Sequence, residues 1–186
     1  AFQTVTDASS GNGWDFSYVR SVNLMLDNVD KSAMSASEKE HWRSVGYFFR
    51  SFYYAELIAR FGDVPWIGEE ITGAKLDFNT VSRKTILANI KKDMEYAVQW
   101  LPKEVIRGAV SRAAGEHLLA KICLATGDFQ QAVDATTRCI NDYGLHLMKE
   151  RFGVNAEDAS LDVFNDLFQE DNISSSENKE AIFVVQ

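Results

Sequence analysis

The chain has 186 residues, with 19 basic against 27 acidic side chains, a net charge of −8 and 46% hydrophobic residues. A chain of this length buries about 70% of its extended surface, so the composition fits one ordinary globular domain and excludes a disordered protein. The acidic balance, with no clustered basic surface, argues against a nucleic-acid partner, and no apolar run approaches the roughly 20 residues needed to cross a bilayer.

The first helix is expected over 14–29, where Trp14, Tyr18, Val22, Met25 or Leu26, and Val29 recur at steps of three and four. After a polar connector, Ser37 and Glu40 form an S-x-x-E capping box that opens a long second helix. Trp42, Val45, Phe49, Phe52 and Ile58 mark one apolar stripe along it. Tyr47, Phe48, Tyr54 and Leu57 mark others, so more than one side of this helix should be covered. Gly62 suits a left-handed stop, and Pro65 forbids resumption. The connector 63–79 is too long for a turn and has room for a short strand near Trp66 and Ile67.

The third helix should start near Thr80 or Ser82 and end at Pro102, with Ile86, Ile90, Met94, Ala97 and Leu101 facing inward. The fourth (from about Ser111 to Thr126) and the fifth (Phe129 to Tyr143) flank the Gly127-Asp128 turn. They form the helix hairpin of a tetratricopeptide-type unit, with Ala120 and Ala132 letting the backbones approach. Phe129, Ala132, Val133, Thr136, Ile140 and Tyr143 would line one face of the fifth helix. A weaker echo of the repeat is Trp42-x-x-Val45-Gly46-x-x-Phe49. Such a unit cannot bury its apolar face alone and needs neighbours. The fold class is therefore mainly all-α, built of tetratricopeptide-like antiparallel helix pairs. Beyond Gly144 a loop-rich extension over 145–186 is expected, with a short amphipathic helix through Leu161, Phe164, Leu167 and Phe168. The run Ala181-Ile182-Phe183-Val184-Val185-Gln186 reads as strand-like. No signal segment opens the chain. It begins on Ala1 instead of Met and closes on a strand with nothing after it to pair with, so it reads as an excerpt of a longer protein.

Chemistry is sparse. His41, His117 and His146 are scattered, with no H-E-x-x-H, nucleophile elbow, phosphate loop or dinucleotide fingerprint around them. No pair of carboxylates announces a glycosidase, and neither a metal nor a cofactor is expected. Cys123 and Cys139 lie on the two arms of the hairpin. They read as buried small hydrophobes, with a disulfide as the alternative in an oxidising compartment. Asp158, Asp162, Asp166 and Glu170 recur every fourth residue. That spacing could serve calcium or a basic partner, but a calcium loop needs a tighter ligand order, so a solvated helix face is preferred. Tyr47, Phe48, Phe49, Phe52, Tyr53 and Tyr54 point in several directions from one helix and read mainly as packing. Arg50 among them reads as a residue ion-paired to a carboxylate, and Trp66 either seals the base of the second helix or stands exposed.

Four stretches together resemble the SusD/RagB family of surface lipoproteins in glycan-uptake systems. They are Arg50-Ser51-Phe52-Tyr53-Tyr54 running to Phe61-Gly62-Asp63-Val64-Pro65; Ile90-Lys91-Lys92-Asp93-Met94 with Leu101-Pro102; Ser111-Arg112-Ala113-Ala114 leading to Gly127-Asp128; and Ser176-Glu177-Asn178-Lys179-Glu180-Ala181-Ile182-Phe183. The likeness runs from about Trp14 to Gln186. Departures are Gly108-Ala109 in place of Gly-Arg, Ser51 in place of alanine, and Cys123 in place of an aromatic. The resemblance implies a single helical domain over 1–186, part of a longer chain. It also implies a lipid anchor outside this sequence, an outer-membrane surface location and a TonB-dependent SusC-like transporter as partner. The implied activity is capture of an oligosaccharide or peptide without catalysis. Ligand contacts in the family come from loops before the first helix and from a part not present here. Phe2 could therefore stack on a sugar face and Asn12 could bond a hydroxyl, both from an N-terminal loop over 1–13. A tetratricopeptide scaffold that binds a partner protein is the alternative function.

Overall fold

The computed structural model describes residues 13–71, 78–104 and 108–184. Five helices carry the fold: α1 (Ser17–Lys31), α2 (Ala36–Phe61), α3 (Arg83–Trp100), α4 (Arg112–Thr126) and α5 (Phe129–Asn141). Each packs on the next in chain order, α1 on α2, α2 on α3, α3 on α4 and α4 on α5. That serial antiparallel packing is the tetratricopeptide pattern the hairpin foretold.

Local chemistry sets the boundaries. The capping box at the start of α2 uses Ser35 and Glu38, not Ser37 and Glu40. The Ser35 hydroxyl accepts from the Glu38 amide, and the Ser35 amide donates to the Glu38 carboxylate at 2.9 Å. Both serines satisfy the S-x-x-E spacing, because Glu38 and Glu40 lie two residues apart as Ser35 and Ser37 do. Ser82 caps α3 and Ser111 caps α4. Gly127 (φ 81°) closes α4 in the left-handed conformation that lets the chain reverse at once into α5. Gly46 serves by size. A Cβ there would lie 2.6 Å from Leu26 Cδ2 and 2.7 Å from Met25 Cε, so the Trp42–Phe49 echo of the repeat marks where α1 presses onto α2.

The inward stripe of α3 is as expected: Ile86, Ile90, Met94, Ala97 and Leu101 are all buried. They join Phe48, Tyr54, Leu57, Ile58, Leu118, Leu119, Ile122 and Ala132 in one core. On α5 the expected single face divides. Ala132, Ala135 and Cys139 face α4, whereas Phe129, Val133 and Ile140 are 55% to 67% exposed. Small residues make the closest helix contact, so the large ones on α5 are turned outward. The connector does hold a strand, slightly before the expected place: β1 (Val64–Pro65) pairs antiparallel with β2 (Thr80–Val81). Asp63 Oδ1 accepts the Arg83 amide at 2.8 Å and fastens the connector to the start of α3. Arg112, in the first turn of α4, donates to the carbonyls of Leu101 (2.7 Å) and Gln99 (3.1 Å), satisfying the end of α3.

Two short helices, α6 (Val163–Leu167) and α7 (Glu170–Ile173), occupy the stretch after α5. The four acidic residues there do not form a solvated row. Asp166 is buried and takes Arg151 in two hydrogen bonds, Asp162 caps α6, and Asp158 accepts from Ser160 in a turn. Arg151 also donates to the carbonyls of Asn155, Asp158 and Leu161, so a guanidinium gathers the loop. The strand-like end is corrected as well. Residues 181–184 form no ladder, and Phe183 instead packs edge-on against Phe48 at 5.6 Å.

Candidate functional site

The polar centre of the fold is Arg50. Its Nε and Nη2 donate to Asp93 at 2.8 and 2.9 Å, and its Nη1 donates to Gly68 O (2.9 Å) and Asn23 Oδ1 (3.2 Å). Asn23 in turn donates to the carbonyls of Ile67 and Glu69. The guanidinium also lies over the rings of Tyr47 and Trp66, 4.9 and 5.5 Å from their centroids. This is the ion-paired arginine expected from the sequence, and it locks α1, α2, α3 and the connector together. Trp66 seals the base of α2: it packs against buried Tyr54, whose hydroxyl accepts the Ile67 amide at 2.6 Å. Burial pushes the Tyr54 phenol up to about 12. Tyr54, fully buried, offers no face to a ligand.

Other candidates are quickly placed. Both cysteines are free and buried. Cys139 Sγ lies 3.7 Å from the Ala113 carbonyl. Cys123 is ten residues further along α4, about 15 Å away at the α-helical rise, which rules out a disulfide. Burial raises both thiols, as suits packing residues. Among the described residues, no group of three or more His, Cys, Asp or Glu side chains could hold a metal. Phe2 and Asn12 lie outside the described residues.

The chain enters the described part at a cleft of about 410 Å³ lined by Gly13, Asp15, Tyr18, Phe52, Tyr53, Glu56, Leu57 and Arg60, within the usual size of small-ligand sites. Two elements build it. Tyr18 is in the first turn of α1, next to fully buried Val19. Phe52, Tyr53, Glu56 and Arg60 are on α2, around fully buried Tyr54. The Tyr18 and Tyr53 rings stack at 4.7 Å with an interplanar angle of 12°. Tyr53 covers one face of Tyr18, yet Tyr18 remains 57% exposed, so its other face is open. Phe52 stands edge-on to Tyr53 at 5.8 Å. Arg60 pairs with Glu56 at 3.2 Å, and its Nη1 lies so close to Gly13 that any side chain there would meet it at 2.8 Å. The Ser17 amide, and then its hydroxyl, bond Asp15 and hold its carboxyl below the usual range. Rigid helices thus present an open aromatic face with carboxylates and a guanidinium around it. Trp14 and Phe16 fix the approach by packing on Phe61 and Tyr54.

The sequence singled out Tyr53 only within a ring-rich run and Tyr18 only as a helix-stripe residue. It missed Asp15, Glu56 and Arg60. Their signal was present in part, since Tyr53, Glu56 and Arg60 fall at helical spacing on one face of α2. A larger cleft, about 860 Å³, runs between α5 and residues 145–152. Leu147, Met148, Lys149 and Glu150 line much of it, its imidazole is that of His146, and Phe152, its one phenyl ring, is buried.

Comparisons with known proteins agree with this architecture. The SusD-like family model described as starch-binding associating with outer membrane matches residues 2–124. SusD-like protein P2 of Formosa agariphila is 31% identical over 124 residues, which is 64% of this chain and 23% of that protein. A SusD-like protein from Bacteroides fragilis superposes with a TM-score of 0.75 at 21% identity, covering 90% of this chain and 31% of the other. A structure described with xylogluco-oligosaccharide gives a TM-score of 0.77 at 20% identity, over 94% and 35% of the two chains. A laminarin-binding SusD-like protein gives 0.65 at 22%, over 70% and 30%. The chain therefore spans about a quarter to a third of the length of these relatives. With two thirds of its residues matched by the family model and its helical array shared with the solved structures, the chain belongs to the SusD-like family.

Proposed function

We propose that this chain is part of a protein that captures an oligosaccharide, or another nutrient oligomer such as a peptide, at the outer-membrane surface. It then passes the cargo, chemically unchanged, to a TonB-dependent SusC-like transporter. The observation that carries the reading is the open face of Tyr18, held over Tyr53 and bordered by Asp15, Glu56 and Arg60. Sugars are bound by aromatic stacking with a few directed hydrogen bonds, and this cleft supplies both kinds of group. The family description as starch-binding, and two fold neighbours described with laminarin and with a xylogluco-oligosaccharide, support the same class of ligand. Phe2 and Asn12 would add a ring and an amide at the near edge, and a lipid anchor beyond this sequence would hold the protein at the membrane.

The test is calorimetric titration of the full-length protein with a panel of glycans and peptides, together with an assay for new reducing ends. Binding without hydrolysis is expected. Turnover of any glycan would refute the non-catalytic reading, and failure to co-purify with a neighbouring SusC-like barrel would refute delivery. The interaction-scaffold alternative draws on one observation, the outward row Phe129, Val133 and Ile140 on α5. It would prevail if a partner protein bound and no oligomer did.

A further inference from the structure

We infer that the Tyr18–Tyr53 stack is a subsite for one neutral pyranose ring whose axial hydrogens make a flat apolar face, as in gluco- or xylo-configured sugars, and that it turns away uronates. This rests on the glycan-capture reading above and assigns that function to particular side chains.

The electron-rich face of a tyrosine attracts polarised C–H bonds, so a sugar with equatorial hydroxyls, whose axial C–H bonds stand on its ring faces, lies flat on it. Tyr18 is suited to that role: one face is covered by Tyr53 at 4.7 Å, and more than half of the residue is open. Because Val19 and Tyr54, the chain neighbours of the two rings, are fully buried, the platform is set before any ligand arrives. A stacked sugar leaves its hydroxyls at the ring edge, where they need partners. Ser17 engages each oxygen of Asp15 once, at 2.8 Å, and a carboxylate oxygen accepts more than one hydrogen bond. Glu56 engages Arg60 through Oε2 alone. Asp15 therefore accepts from hydroxyls, and its depressed titration keeps it an acceptor across ordinary pH. Two carboxylates against one guanidinium leave the cleft acidic, in a chain of net charge −8. A uronic acid would bring a third carboxylate to that edge, and like-charge juxtaposition is costly.

The test titrates full-length protein with maltoheptaose, cellohexaose, xylohexaose and hexagalacturonate. At least one neutral oligomer is expected to bind and hexagalacturonate to give no heat. Tyr18→Ala should weaken binding about tenfold. Tyr18→Leu, which keeps an apolar side chain without the ring face, should weaken it comparably, whereas Tyr18→Phe should retain it. Phe164→Ala removes an exposed ring that does not line the cleft and should change nothing. Circular dichroism of each variant reports folding, and Tyr18 is exposed enough that truncation leaves the core intact. If a glycan binds equally well to wild type, Tyr18→Ala and Tyr53→Ala, the subsite is refuted while capture stands. Hexagalacturonate binding as tightly as the neutral sugars refutes the neutral class. No heat from any of the four refutes this subsite, and silence across the wider panel of glycans and peptides would refute the capture reading with it.

Discussion

Removing the Arg50 guanidinium is the sharpest test of what holds the helical array together. The side chains of Arg50 and Asp93 are only 8% and 12% exposed, and they meet through two hydrogen bonds of 2.8 and 2.9 Å. Arg50→Met keeps most of the apolar stem but leaves the Asp93 carboxylate buried and unpaired, and strips Gly68 O and Asn23 Oδ1 of a donor. Breaking one side of such a pair costs about 3–5 kcal/mol, a large share of the about 5–15 kcal/mol that holds a typical domain. Replacing both partners, as in Arg50→Met with Asp93→Leu, removes the stranded charge and should recover most of the loss. Urea denaturation of the wild type and the two variants reads this directly.

The same variant carries a pH signature. Burial raises the Asp93 carboxyl above its ordinary value even with Arg50 opposing it. A carboxyl raised in the folded state binds protons there before the unfolded chain does. Its penalty is therefore absent below the unfolded value and grows as pH rises through the folded one. Without Arg50 the opposition is gone and the rise is larger, so the cost of Arg50→Met should be full at pH 7 and shrink near pH 4. A cost below about 1 kcal/mol, or one equal at both pH values, would refute the placement of this pair as a buried lock.

Two further outcomes follow from the geometry. Ser35→Ala should lower stability by about 1 kcal/mol and Ser37→Ala should leave it unchanged, which urea midpoints will separate; the reverse order would restore the capping register expected from the sequence. Arg151→Gln should release the loop over 155–161, seen as faster proteolysis and amide exchange there with α1–α5 unaffected. Because Arg151 depresses the Asp166 carboxyl, that order is present above the ordinary carboxylate value in wild type and is lost as pH falls through the lowered one.

The helices were legible because their signals are local. Capping serines, Gly127 and the i, i+4 stripe of α3 act within a few residues of chain. What was illegible depended on which helix lay opposite. The alanines and Cys139 of α5 face α4 because small residues allow the closest packing, and no property of Phe129, Val133 or Ile140 alone reveals that they are left outside. The acidic row after Gly144 failed in the same way. A four-residue period implies a helix, but Arg151, outside the row, bends the chain around itself and takes Asp166 inward. The family motifs, by contrast, fall on residues with structural work. Asp63 anchors α3, Arg112 closes it, and Ser51, standing where alanine is usual, bonds the Ile90 carbonyl at 3.2 Å.

The position of the cleft follows from how α2 is used. Gly46 and Arg50 turn toward α1, through Leu26 and Asn23. Tyr47 and Ser51 turn toward α3, through Tyr96 and Ile90. Phe48 and Phe49 receive Phe183 from the returning extension. Three neighbours on one helix account for apolar residues on more than one of its sides, as the multiple stripes had implied. Farther along, Phe52, Glu56 and Arg60 are exposed, and the Tyr18 ring of α1 stacks on their neighbour Tyr53. A helix packed this fully has little surface left to give a ligand. Of the rings that α2 leaves exposed, Trp42 stands near its start, whereas Phe52 lies beside Tyr18 where α1 begins, and that is where the N-terminal segment carrying Phe2 and Asn12 joins it at Gly13.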